Sequence, residues 1–505
     1  MNIILTTINA RYHHASFGLR CLRANLAELK SVSRIVEFTL EQRASDVVEA
    51  ILQHKPTVIG IGVYIWNIDL STQVVRLLKC VAPEITLVLG GPEVSFPDDA
   101  PEICDHADFI ITGQGDLAFA DLCRTIAANQ LPATRIIRAD PPKLSELAWP
   151  YEEYNDVDIS QRLIYVEASR GCPFKCEFCL SSLDKTAWPF DLDSFLEQMD
   201  QLYQRGLRNF KFVDRTFNLK IASTVRILKF FLAKQDDDLF LHFELIPDRL
   251  PDELKQYLPL FKPGTLQFEI GVQSFNPEVQ SLISRKQKNE NTCDNLRWLV
   301  QNTSAHIHAD LIFGLPGESL QSFAEGFNRL YQLNVHEIQL GILKRLRGTP
   351  ISRHEKTFDL RFNPSAPYEI VSNKDVDFTT MQTMQRFARY WDMIANSGRF
   401  ANTMQLFDAD NLFEQFASLS DWIFTQTGRT HQIALKRLFD LLHDGLTEVF
   451  KCDQIIVTEV LTKDFDRGGF KGAPKFISDI RNSTRAHAQK KQSSSHSRRQ
   501  QSHLA

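Results

Sequence analysis

The chain has 505 residues, 43% of them hydrophobic and 24% charged, with a formal net charge of −5. This is the composition of a globular protein with room for about three domains, and the slightly acidic total excludes a protein built chiefly to coat nucleic acid. Nine cysteines are too few for a disulfide scaffold and point to a reducing compartment, by default the cytoplasm. The N-terminus has no signal-peptide pattern and no apolar run reaches membrane-spanning length, so no membrane association is expected.

Over residues 1–140, short β-rich runs alternate with helix-like stretches. Strands are expected at residues 3–6, 34–38, 57–63, 86–89 and 108–111, and helices at 17–29, 45–53, 71–81 and 116–127. Ser45 and Ser71 read as N-terminal caps. The alternation predicts an α/β fold, a doubly wound Rossmann-like parallel sheet with ligands at the carboxyl ends of its strands. Two glycine loops fall there. Gly90-Gly91-Pro92-Glu93 follows the fourth strand and Gly113-Gln114-Gly115-Asp116 the fifth, where glycine lets backbone approach a ligand closely. Neither is a G-x-G-x-x-G loop after the first strand, so a dinucleotide site has little support.

Residues 141–160, with Pro141-Pro142 and Trp149-Pro150, read as an extended linker. Between 161 and 350, six strand-like runs (163–166, 209–213, 239–245, 265–270, 305–312 and 336–343) alternate with helical stretches. Six such units suggest a partial (β/α)6 barrel of TIM type, with its chemistry in the loops at the strands' carboxyl ends. After the first strand comes Cys172-Pro173-Phe174-Lys175-Cys176-Glu177-Phe178-Cys179. Thiolates suit zinc or iron–sulfur clusters. Structural zinc takes four ligands, and no fourth cysteine or histidine stands nearby; a four-iron cluster on three thiolates leaves one iron open. Asp214 follows the second strand, Glu244 ends the third, Gln273 and Ser274 follow the fourth, and Gly314-Leu315-Pro316-Gly317 follows the fifth. Lys344-Arg345-Leu346-Arg347, after the sixth, is either an anion clamp or a solvated basic rim.

Residues 351–475 read as a mostly helical domain. Met381, Met384, Phe387, Ala388 and Trp391 recur at helical spacing and mark a core rather than a cofactor site, and further helices are expected at 412–417 and 433–450. Residues 476–505 carry no acidic residue after Asp479 and read as a disordered basic tail, solvated rather than bound to RNA.

The cysteine spacing, with Phe178 just before the last thiol, resembles the signature of the radical S-adenosylmethionine (SAM) superfamily. The resemblance implies a 4Fe-4S cluster on Cys172, Cys176 and Cys179 whose open iron binds SAM, and reductive cleavage of SAM to a 5′-deoxyadenosyl radical. By position it assigns SAM contacts to Phe178, Asp214, Glu244, Gln273, Ser274, Arg285, Gly314 and Pro316, although the usual Gly-Gly-Glu after the second strand is absent. The first segment resembles the cobalamin-binding domain that precedes many such barrels. That implies cobalamin contacts at Gly90, Gly91, Pro92, Gly113 and Gly115, with Gly-Gln-Gly-Asp departing from the usual G-E-G-E-like turn.

His13 and His14 lack the D-x-H-x-x-G context of a cobalt-ligating histidine, so a lower face without one is expected, against which Tyr64, Trp66 and Asn67 could pack. The implied activity is methylation of an unreactive carbon in a small-molecule or peptide substrate, or cyclisation with the same cofactors. The implied partner is a low-potential electron donor of flavodoxin or ferredoxin type. Transfer-RNA methylthiolation would need a second cysteine cluster, which Cys21, Cys80, Cys104 and Cys123 do not form in sequence. A non-catalytic zinc or nucleic-acid-binding protein is the rival of another class, and the polar strand ends argue against it. The C-terminal region resembles the tail domain of some cobalamin-dependent radical SAM proteins.

Overall fold

The computed structural model describes residues 1–470 and 472–478; of the disordered basic tail expected over residues 476–505, all but 476–478 lies outside the described residues, and there Phe476 and Ile477 are buried. The chain divides into two compact units, one of residues 1–323, 333–336 and 341–377, the other of residues 324–332, 337–340 and 378 onward.

The first unit opens with β1 (Ile3–Asn9), β2 (Ser33–Thr39), β3 (Val58–Gly62), β4 (Thr86–Gly90), β5 (Phe109–Gly113) and β6 (Ile136–Ala139). They form one parallel sheet in the order β2-β1-β3-β4-β5-β6. The strands are near-continuous apolar runs because both faces are covered: Ile4, Ile8, Ile59 and Leu87 enter one core, Ile3, Leu5, Val58 and Val88 the other. Chain order reverses between β1 and β3, which opens a crevice at the strands' carboxyl ends.

Strand β6 was not anticipated. It is an edge strand with no buried residue, so it lacks the apolar run that betrays a central one. Neither serine caps a helix. The helix Ala44–Leu52 starts at Arg43 with no side-chain cap bond. The next, Ile68–Val81, starts three residues before Ser71, because Asn67 has already turned the chain: its Oδ1 accepts from Tyr64 N–H at 2.8 Å while its Nδ2 donates to Ile8 O at 3.0 Å.

The second sheet is the expected partial barrel. It contains β7 (Ile164–Val166), β8 (Asn209–Phe212), β9 (Phe240–Leu245), β10 (Leu266–Gln273), β11 (His306–Phe313) and β12 (Glu337–Ile342), whose Gly341 and Ile342 belong to this unit. They lie in chain order, with every pairing from β7 to β11 parallel. Phe210 and Phe212 turn outward onto Phe231 of the helix Ile221–Leu232, at ring-centroid distances of 5.0 and 6.2 Å.

A quartet of buried charges joins the first domain to the linker. Arg20 reaches Glu37 at 3.0 Å and Asp158 at 2.7 Å, and Arg162 reaches Glu37 at 2.7 Å and Asp158 at 3.0 Å. Two arginines against two carboxylates leave no net charge to bury.

Residues 351–377, expected to open the helical domain, group with the first unit. Arg345 and Arg347, just before them, are tied within that unit. Arg345 bonds Asp99 at 2.7 Å and Glu355 at 2.8 Å; Arg347 bonds Glu93 at 2.8 Å and Asp99 at 2.9 Å. They are neither an anion clamp nor a solvated rim, but internal ties to the loop after β4.

The second unit is helical: Phe378–Trp391, Leu412–Thr427, Leu435–Glu448 and Gln454–Arg467. Met381, Met384, Phe387 and Trp391 are buried as expected, with Phe387 stacked on Phe413 at 4.9 Å. The last helix was not foreseen. It is held by buried Asp464, which accepts from the Thr403 N–H and hydroxyl at 2.8 and 2.7 Å.

Candidate active site

The loops at the carboxyl ends of the two sheets of the first unit face a common cavity of about 790 Å3. From the first sheet it is lined by the loop after β1, including His14, Ser16 and Phe17, by Tyr64 and Trp66 after β3, by Gly90 and Gly91 after β4, and by Gly113 to Asp116 after β5. From the second it is lined by Tyr165, Glu167, Ser169 to Gly171, Ser181, Asp184, Val213 and Arg215.

The glycine loops put bare backbone on the cavity wall. Gly91 has φ +105°, and a Cβ there would lie 2.5 Å from Val63 O, so this position tolerates no side chain. Tyr64 and Trp66 stack at 4.5 Å and 6° on the cavity wall, whereas the Asn67 side chain is spent on Thr7 and Ile8 of β1. His14 lies on the wall with Nδ1 2.7 Å from Tyr165 Oη. Burial, then the positive charges around it, lower its pKa and favour the neutral imidazole. Pro92 opens a short turn beside Gly91.

The departure from a G-E-G-E-like turn has a physical account. Asp116 accepts from Arg170 Nη1 at 3.1 Å, and Gln114 donates to Asp184 at 3.2 Å. The turn after β5 is therefore bonded to both ends of the cysteine loop. Arg170 also makes a two-point contact with Glu167, at 2.9 and 3.1 Å.

Within the cysteine loop, Cys172 and Cys176 are buried, Cys179 is half-buried, and all three thiols are free. Arg285 Nη1 lies 3.5 Å from Cys176 Sγ. Burial pushes the Cys176 thiol up while the Arg285 charge pulls it back toward the thiolate. Three thiols on one loop beside a fixed cation suit a cluster that carries net negative charge. Cys104 and Cys123 belong to opposite cores of the first sheet and make no second set.

The expected SAM residues separate into two groups. Gln273 is held at φ +71° by a bulge in β10, with Oε1 buried and unbonded. Asp310, which sequence reading did not assign a role, has an unbonded buried Oδ1 and is raised to about 7 by burial and by the charges of Glu269 and Glu244. Glu244 faces Arg215 at 2.6 Å, and Arg285 donates to Gly271 O. Unbonded buried polar atoms at strand ends are what a polar ligand would satisfy.

Asp214 and Ser274 are already engaged. Asp214 accepts from Ala168 N–H at 2.9 Å and Ser169 Oγ at 2.6 Å, and burial raises its carboxyl to about 7 against those bonds. Ser274 donates to Glu318 at 2.5 Å. Gly314 O accepts from Asn373, Pro316 is buried and Phe178 half-buried.

Sequence reading also passed over the inner face of the barrel. Cross-strand register puts Tyr165, Lys211, His242, Gln267 and His306 in one row. Glu244, Glu269 and His308 form the next. Barrel interiors of this type are usually filled with branched aliphatic side chains; this one is polar. Burial would raise Glu269, but His242, Lys211 and His308 hold it down to about 2.

Comparison with known proteins agrees with this architecture. Residues 166–330 match the radical SAM superfamily, residues 3–123 the B12 binding domain, and residues 356–504 a family described as a protein of unknown function, DUF4080. The chain is 24% identical over 453 residues to the cobalamin-dependent radical SAM methyltransferase TokK of Streptomyces tokunonensis, covering 81% of this chain and 63% of that one. It is 25% identical over 361 residues to the 2-(S-pantetheinyl)-carbapenam-3-carboxylate methyltransferase of Streptantibioticus cattleyicolor, covering 62% and 51%. The chain thus spans 63% and 51% of these two relatives' own lengths. Its fold is similar to that of TsrM from Kitasatospora setae, solved with cobalamin and a 4Fe-4S cluster bound (TM-score 0.60, 13% identity, 93% of this chain and 100% of that one). It is also similar to OxsB, solved with aqua-cobalamin and SAM bound (TM-score 0.62, 12% identity, 92% and 83%). The chain thus carries a segment that matches the radical SAM superfamily, preceded by one that matches the B12 binding domain.

Proposed function

We propose that the protein is a cobalamin-dependent radical SAM enzyme that methylates an unreactive carbon of a small-molecule or peptide substrate. One observation carries the reading: the glycine loops of the first sheet and the two ends of the cysteine loop of the second line the same cavity. The methyltransferase activity named for TokK and for the carbapenam enzyme favours methylation over cyclisation.

When bound, a 4Fe-4S cluster supplies one electron to the sulfonium of SAM, releasing a carbon radical that abstracts hydrogen, while cobalamin carries the methyl group. The chain's part is to hold and orient these groups. Cys172, Cys176 and Cys179 would ligate three irons, with Arg285 offsetting their charge. Glu244, Gln273 and Arg285 would contact SAM, together with Phe178, Gly314 and Pro316. Asp214 and Ser274 act one step back, Asp214 fixing the start of the cysteine loop and Ser274 fixing Glu318. Gly90, Gly91, Pro92, Gly113 and Gly115 would hold cobalamin, with Tyr64 and Trp66 packing against it. A low-potential donor of flavodoxin or ferredoxin type would supply the electron, in the reducing cytoplasm. No described helix is long and apolar enough to cross a membrane.

The test is anaerobic reconstitution with iron, sulfide and hydroxocobalamin, then desalting, absorption spectra and reduction in the presence of SAM. A four-iron spectrum, retained cobalamin and 5′-deoxyadenosine are expected. Zinc without sulfide would overturn the enzyme reading, and a cluster without retained cobalamin would overturn methylation.

A further inference from the structure

We propose that the outer side of the cysteine loop is the docking surface for an acidic one-electron carrier protein. The inference rests on reading Cys172, Cys176 and Cys179 as the redox centre, and it starts from Glu177 between the last two of them. Glu177 is 2% exposed and stitches three segments together. Its N–H donates to Ile283 O at 3.1 Å, and its carbonyl accepts from Ile351 N–H at 3.1 Å. Its carboxylate accepts from Ser284 Oγ at 2.5 Å and from Arg353, and lies 2.9 Å from His354 Nε2.

Residues 172–179, 283–288 and 351–354 therefore lie side by side. They carry Lys175, Arg285, Lys286, Lys288 and Arg353, and Glu177, buried and paired, is their only acid. Lys175, Lys286 and Lys288 are exposed and have no ion pair among the described residues, and the Arg353 side chain is 59% exposed. A chain of net charge −5 thus gathers a rim of exposed cations on the cysteine loop and the two segments bonded to it, with Asp248, which accepts from the Lys288 N–H at 3.0 Å, at their edge.

The rim does not belong to the cavity. The cavity is lined by Ser169 to Gly171 and by Ser181 and Asp184, the two ends of the loop, while the stretch between turns Lys175 to solvent. Weak redox encounters use small interfaces, and complementary charge governs their encounter rate and orientation. A negatively charged carrier would be drawn to this rim and held with its own redox group against the loop. The carrier would be oxidised by one electron, and a 4Fe-4S cluster held by Cys172, Cys176 and Cys179 would be reduced by that electron.

The experiment compares the full-length wild type with a Lys175→Glu, Lys286→Glu, Lys288→Glu triple variant. An acidic flavodoxin in its oxidised form is titrated by flavin fluorescence at low and at 0.3 M salt, which reads binding without turnover. Formation of 5′-deoxyadenosine is then driven either by reduced flavodoxin or by dithionite. The wild type should bind at low salt and weaken at least tenfold at 0.3 M. The triple variant should lose at least tenfold in affinity and in flavodoxin-driven cleavage, and keep its dithionite-driven rate. Wild-type affinity in the triple variant, or salt-insensitive binding in the wild type, would overturn the proposal. So would a triple variant that loses affinity for a single-stranded oligonucleotide but not for flavodoxin, which would mark the rim as a nucleic-acid surface. If dithionite yields no deoxyadenosine even in the wild type, the enzymatic reading fails, and the titration still decides whether the rim binds the carrier. Should the triple variant not fold, Lys286→Gln and Lys288→Gln, outside the cysteine loop, carry the same comparison.

Discussion

Arg170 links the turn after β5 to the cysteine loop, and removing it should loosen both. Its guanidinium meets Glu167 through Nε and Nη2 and donates from Nη1 to Asp116 and, at 3.4 Å, to Gln114 Oε1; the Arg170, Glu167 and Asp116 side chains are 17, 11 and 9% exposed. Burial already pushes the Glu167 carboxyl up, with Arg170 opposing it. Arg170→Met keeps the length of the side chain and strands two buried carboxylates. Breaking a buried pair in this way costs about 3–5 kcal/mol. Asp116→Asn removes only one charge and leaves the two-point contact with Glu167, so one charge-assisted bond is weakened, at about 1.5–3 kcal/mol. In the double variant the neutral amide that replaces the Asp116 carboxylate has no cation to lose, so the two costs should fall short of additivity by about 1–2 kcal/mol.

Equilibrium urea denaturation of the four proteins, apo and anaerobic, measures this directly. The cost of Arg170→Met should also shrink as pH falls. Without its cation the Glu167 carboxyl takes up a proton more readily in the folded state, and protonation removes the penalty of an unpaired buried charge. Additivity within about 0.5 kcal/mol would refute the coupling between the two loops. An Arg170→Met cost under about 1 kcal/mol, well below the usual penalty for breaking a buried pair, would show that Glu167 and Asp116 find other partners.

Replacing Cys172, Cys176 and Cys179 by Ala should abolish iron and sulfide uptake while cobalamin is still retained after desalting; iron and sulfide analysis of the variant decides it. Gly91→Ala forces a side chain into a left-handed position, at about 1–2 kcal/mol, and drives its Cβ against Val63 O. Cobalamin retention should fall at least tenfold with cluster assembly unchanged, and retention at the wild-type level would remove Gly91 from the cobalamin loop. Burial opposes ionisation of Glu37 and Asp158, but Arg20 and Arg162 hold both carboxyls below their usual values of 4.5 and 3.8. Their stabilisation is therefore complete above those values and lost as pH falls through the lower folded ones. The urea-stability gap between wild type and Glu37→Gln should be constant from pH 7 to about 5 and close in more acid solution.

What could be read in the sequence was what is encoded locally. The three thiols stand within eight residues, and central parallel strands announce themselves as apolar runs ended by glycine or a polar residue. The second sheet, the first five strands of the first sheet and the placement of their carboxyl-end loops follow from such signals; the edge strand β6, with no buried residue, does not. What escaped depends on partners far along the chain. Arg347 reads as a free cation until Glu93, 254 residues away, is brought to it. Asp214 reads as a ligand-binding carboxylate until Ala168 and Ser169 occupy both its oxygens. The polar inner face of the barrel lies between these cases. Leu241-His242-Phe243-Glu244 and Gln267-Phe268-Glu269-Ile270 alternate strictly, so a polar face is written in each strand. Only the register that sets His242 beside Gln267 and Glu244 beside Glu269 shows that these faces combine into one. A barrel interior so lined gains little from apolar packing, and keeping Glu269 ionised there requires the surrounding histidines and Lys211. That cost makes sense where the interior receives a polar molecule, and it directs the search for a substrate toward compounds whose charged or hydrogen-bonding groups can enter beyond the cavity mouth.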